Sequence, residues 1–157
     1  MADAQQNIIS AFTTKLKTIS VANGYSSALG AQTSLWEQAP KPPISQSEFP
    51  SANIRDPVVE VRSTDEAEEE ALFQMTVELD IACAAGTTSD TTMRSLFGDV
   101  YRAIGLWAWG SDATIKDNMK DIQRVRHEIF SDEQEKIIVG GKITLMILYS
   151  AAQFPTT

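Results

Sequence analysis

Between Leu72 and Cys83 apolar and polar side chains alternate without a break. Phe73, Met75, Val77, Leu79, Ile81 and Cys83 interleave with Gln74, Thr76, Glu78, Asp80 and Ala82. A period of two places one set on each face of an extended chain, so the pattern predicts a strand with one buried face. Each large apolar side chain buried there yields about 1.5–3 kcal/mol gross. Much of that gain offsets the entropy of ordering the segment. A lone strand leaves its backbone groups unpaired, so the rest of the chain must flank it.

Two stretches carry the helical period instead. Ile9, Phe12, Leu16 and Ile19 recur at steps of three and four and predict a helix over about residues 4–22. Asp3 and Gln6 form a capping box at its start, and Asn23-Gly24 tolerates the positive φ that ends it. Met93, Leu96, Phe97, Val100, Ile104 and Trp107 predict a second helix over about residues 90–108, capped near Asp90. Gly98 and Gly105 inside it each cost about 1 kcal/mol against alanine. Their spacing predicts a helix that lies close on a neighbouring element.

The remaining strands are shorter or less regular. One is expected within residues 30–38, with Leu35 and Trp36 as its bulky residues, and one over 57–62 around Val58, Val59 and Val61. Two more are expected over 122–130 and 138–151. Residues 39–56, which hold Pro40, Pro42, Pro43 and Pro50, read as a long irregular connection, and 115–121 fits either a turn or a short strand. In the last strand Ile143, Leu145, Ile147 and Tyr149 form one face, while Met146 and Leu148 make the other partly apolar. Such a strand is covered twice or meets another subunit. Gly140-Gly141 reads as a bulge. The order predicts a single α+β domain over 1–157: a mainly antiparallel sheet with two helices on one face and a frayed end from about 152.

Composition narrows the function. A chain of 157 residues is long enough for one well-buried core. The longest apolar run is too short for a membrane helix, which needs about 20 residues, and no secretory leader is visible. Net charge is -8 and the 13 Lys and Arg are scattered, which argues against a nucleic-acid reader. An acidic wall can still let DNA slide past without sticking. The acidic run Asp65, Glu66, Glu68, Glu69 and Glu70 lacks the spacing of a calcium loop and reads as a solvated turn. Cys83, the only cysteine, falls on the apolar face and reads as a buried structural thiol. His127 has no serine, cysteine or second histidine nearby and reads as a surface residue. No phosphate loop, zinc motif, nucleophile elbow or Cys-x-x-Cys is present. The expectation is therefore no enzyme, no cofactor and no metal.

Several features together resemble the tail terminator and tail completion proteins of long-tailed bacteriophages. These are the first helix ending in Ile19-Ser-Val-Ala-Asn-Gly-Tyr25, then Ser26-Ser-Ala-Leu-Gly30 leading to Trp36, the long alternating strand, the helix ending near Leu106-Trp107, and the closing pair of strands. The resemblance implies a virion structural protein that forms a ring, a hexamer, through two different patches per subunit. Such a ring caps the tail tube, ends its polymerisation and joins it to the head. It also implies a tail or neck location after assembly in the host cytoplasm. The implied partners are other copies of the chain, the tail-tube protein and a head-tail connector, with DNA passing unbound and no membrane involved. On this reading Asp65, Glu66, Glu68, Glu69 and Glu70 face the lumen or a partner, and Trp36, Met146 and Leu148 meet a neighbouring subunit. The alternatives are a head-side connector or neck protein, a small-ligand-binding or hydrolytic α+β domain, and a monomeric adaptor anchored by Trp36 or the long loop.

Overall fold

The computed structural model describes residues 4–35, 50–64, 70–84, 86, 89–109, 119–130 and 138–152. The fold is α+β: among the described residues six strands form one mainly antiparallel sheet, and two helices lie on one of its faces.

The alternating stretch becomes β4 (Glu70–Ala84) and stands in the middle of the sheet. It pairs antiparallel with β6 (Ile138–Ala152) along its whole length, from Glu70 opposite Ala152 to Ala84 opposite Ile138. On the far side of β6, β5 (Met119–Phe130) closes one rim of the sheet, also antiparallel. The other edge of β4 is shared. Here β3 (Val58–Thr64) pairs with residues 71–76 and β2 (Ser51–Ile54) with residues 79–82. The short β1 (Thr33–Leu35) adds to β2 in parallel.

Three elements depart from expectation. The first helix, α1 (Ala4–Leu16), stops about six residues early. The Thr18 hydroxyl donates to the Lys15 carbonyl at 2.6 Å, and the Asn23 amide donates to the Thr18 carbonyl at 2.7 Å. Ser20 then caps a 3-10 turn over Val21–Asn23, which Gly24 ends at φ 86°. These side chains compete with helical hydrogen bonds for the backbone. Ile19 is nonetheless buried, because the turn folds it beneath the helix. The chain returns so close to this turn that a Cβ at Gly30 would sit 2.4 Å from the Lys17 carbonyl oxygen. Second, β2 lies within the stretch read as an irregular connection. Its alternation lasts only four residues, with Ala52 and Ile54 buried, and the pairing with β4 stabilises what local propensity does not. Third, the expected strand over 30–38 begins as a 3-10 turn (Leu29–Gln32) before β1.

The glycines also change roles. The second helix, α2 (Ser89–Trp109), matches its expected span, but a Cβ at Gly98 or Gly105 would meet nothing within 4 Å. These two do not mediate close packing. The close approach is made by Gly141, where a Cβ would lie 2.7 Å from Phe97 Cζ and 2.8 Å from Met93 Sδ. There is no bulge at Gly140-Gly141, since β6 keeps register there with both neighbours. The irregularities fall instead in β5, at Lys120 and Val125, and in β3 at Arg62.

The core lies between the sheet and the helix layer. Ile8, Phe12 and Leu16 of α1 meet Met93, Val100 and Trp107 of α2 above Met75, Val77, Leu79, Ile143, Leu145 and Ile147. Phe12 meets Trp107 edge-on, with ring centroids 5.7 Å apart. Cys83 is buried as expected, and burial pushes its thiol pKa up from the ordinary 9.0.

Candidate functional site

The residues singled out in the sequence are not gathered at one place. Met146 and Leu148 lie on the sheet face opposite the helices, half-buried. Met146 sits between Thr76 and Gln123, and Leu148 between Gln74 and Asp121. Leu72 of β4 shares that face. Glu70 opens β4 and is exposed, opposite Ala152. Trp36, Asp65, Glu66, Glu68 and Glu69 lie outside the described residues.

One end of this helix-free face is ionic. The Arg55 Nε donates to the Asp80 carboxylate at 2.6 Å, and its guanidinium also reaches Glu78 at 3.7 Å. Lys142 approaches the same Glu78 oxygen at 3.7 Å. Facing strands therefore hold opposite charges in register, a pairing that steadies a solvated sheet face but adds little energy while exposed.

The helix side of β5 is aromatic. His127 shares a hydrogen bond with the Tyr101 hydroxyl at 2.8 Å and lies over Phe97, with ring centroids 5.0 Å apart. The Arg124 guanidinium covers the Tyr101 ring, 3.8 Å from its centroid. Burial pushes the Tyr101 pKa up, against the pull of the Arg124 charge. His127 is exposed, as its sequence context predicts. A cleft of about 150 Å³ opens beside this cluster, walled by Tyr101, Ile104, Ala108, Trp109, Ile122 and Arg124. Among the described residues no three His, Cys, Asp or Glu side chains are placed to hold a metal ion.

The feature that sequence reasoning missed is where the apolar surface lies. Val58 and Val61 on β3 are 62% and 52% exposed. At the opposite rim Trp109 of α2 is 78% exposed, and Val125 and Phe130 of β5 are 55% and 48% exposed. Sequence alone placed Val58, Val61, Val125 and Phe130 in strands without assigning them a face. The signal that would have separated them is strand order, because a rim strand has a neighbour on one side only. No helix among the described residues is long and apolar enough to cross a membrane. No family model matches the chain, and no curated protein matches it.

Proposed function

We propose that the chain is a structural subunit of a bacteriophage tail. Its copies close into a ring, taken as a hexamer, that caps the tail tube, ends tube growth and offers the surface for head joining. The observation that carries the reading is the exposed apolar surface on two different rims of one sheet. A subunit with two unlike adhesive patches associates head to tail, and such contacts make a ring when the rotation closes. Exposed apolar side chains on two separate sheet rims are otherwise a liability for a solitary protein. The helix-free face, with Leu72, Met146 and Leu148 among polar neighbours, gives a ring a further surface for the tail tube or connector. Product and work are geometric, so the reading calls on no catalytic group. The cleft beside Tyr101, at about 150 Å³, is itself smaller than the roughly 300 Å³ at which small-molecule sites begin.

The test is electron microscopy of the purified chain mixed with tail tubes assembled from the tube protein of the same virus, together with a tube-extension assay. Collars at tube ends and arrested extension are the expected results. Tubes that grow on with bare ends reject the terminator role. Binding to the head-side adaptor in place of the tube moves the assignment to a neck protein.

A further inference from the structure

Resting on the ring reading, we infer that neighbouring subunits join by strand addition: β5 of one copy pairs antiparallel with β3 of the next, and the sheet continues around the ring. Strand direction is the first argument. Each of β3, β4, β6 and β5 is antiparallel to the one before it across the sheet. It follows that β5 runs opposite to β3. A second copy set beside the first in the same orientation, helices on the same side, presents its β3 to β5 in the antiparallel sense that two edges need to exchange hydrogen bonds. Among the described residues neither β3 nor β5 has a strand on its outer edge.

Apolar surface is the second argument. Each rim carries exposed apolar side chains, Val58 and Val61 on β3 and Val125 and Phe130 on β5, and joining the two edges removes such side chains from water.

Charge is the third argument, and it disfavours a contact between two β5 rims. Along β5, Lys120, Arg124 and Arg126 outnumber Asp121 and Glu128. β3 itself is balanced, with Glu60 against Arg62. A two-fold β5–β5 contact would instead stack Arg124 and Arg126 on their own copies, and like charges directly opposite are unfavourable. The bulges at Lys120 and Val125 bend and twist the rim, which supplies an angle between successive subunits. Met146, one strand in from β5, then faces the open side of the collar.

The test uses the full chain with Val125→Glu, which blocks the β5 rim, and Val58→Glu, which blocks the β3 rim. Both sites are exposed, and thermal unfolding and circular dichroism check that each variant folds. Self-association is read by analytical ultracentrifugation. Each variant alone loses assembly, with affinity down about 100-fold or more, the scale of a charge forced into an interface core. Mixed, the two form a dimer of one copy each and nothing larger, because one good β5 rim and one good β3 rim remain. If Val58→Glu still dimerises alone, the contact is β5–β5 and the inference is wrong. If both variants assemble like wild type, the inference falls and the ring reading stands on another contact. A wild-type chain that stays monomeric both in solution and on tail tubes overturns both.

Discussion

Asp99 shows how one side chain ties two elements together. It is buried in α2 and accepts from the Ser26 backbone N–H at 3.1 Å and the Ser27 hydroxyl at 2.6 Å. Arg102, one turn on, donates to the Gly24 carbonyl and lies over the Tyr25 ring. Residues 24–27 are thereby fixed to the second helix. Asp99→Ala removes a charged acceptor from two donors and is expected to cost about 1.5–3 kcal/mol each way the bonds are counted, read as a lower urea midpoint with unchanged slope. The two glycine roles separate just as cleanly. Gly141→Ala pushes a methyl into Phe97 and Met93 and should cost about 1–3 kcal/mol. Gly98→Ala meets open space and should stabilise by up to about 1 kcal/mol. If the two substitutions gave equal shifts in thermal midpoint, the packing assigned to Gly141 would be wrong. Cys83 adds a pH dependence. Its folded pKa is raised by burial, so the folded state holds the proton more tightly than the unfolded chain. That contribution is complete below the ordinary value of 9.0 and is lost as pH climbs through the folded pKa. Stability should fall above pH 9, and Cys83→Ala should flatten the fall; thiol reagents at pH 8 should label the chain only when it opens.

At the scale of elements, β4 and β6 are the frame. Their fifteen paired positions run without a break, and the buried alternate residues of both strands face the helices. Native-state hydrogen exchange should therefore find its slowest amides in β4 and β6, with β1 and the rim strand β5 opening sooner. A β5 protected as well as β4 in a proven monomer would contradict this order. The same contrast explains what the sequence disclosed. In β4 every second residue from Met75 to Cys83 is buried by the helix layer, so the period of two is intact and the strand could be placed from its side chains alone. In β5 the extra residues Lys120 and Val125 break the period, and the alternation looked imperfect. The four residues of β2 are held by pairing with β4, information that no local window contains. The α1 stripe correctly named Ile19 as core, yet its burial comes through a turn, because Thr18, Ser20 and Asn23 draw the backbone out of the helix. The candidate surface was half legible: Met146 and Leu148 stood out as apolar residues on a second face, whereas the two rims depend on strand order, which periodicity does not carry.

For the molecule as a whole, charge decides how it stands toward DNA. A net charge of -8 repels a polyanion at long range. Locally, six of the ten described Lys and Arg side chains are already engaged. Arg55 holds Asp80 and Glu78, Lys142 reaches Glu78, Arg94 bridges Asp90 at 3.1 Å, and Arg126 bridges Glu128 at 2.6 Å. Arg102 and Arg124 lie on tyrosine rings. A phosphate would have to displace a carboxylate or a ring at each, so counterion release, the usual source of sequence-independent affinity, has little to work with. The intact chain, single or assembled, should leave the fluorescence anisotropy of a labelled duplex unchanged at about 50 mM salt, where phosphate contacts are strongest. Binding that weakened steeply between about 50 and 200 mM salt would reveal a basic track and count against a conduit that lets DNA pass. Silence at low salt is what the proposed collar requires, since each adhesive contact on its wall would slow a strand moving through it.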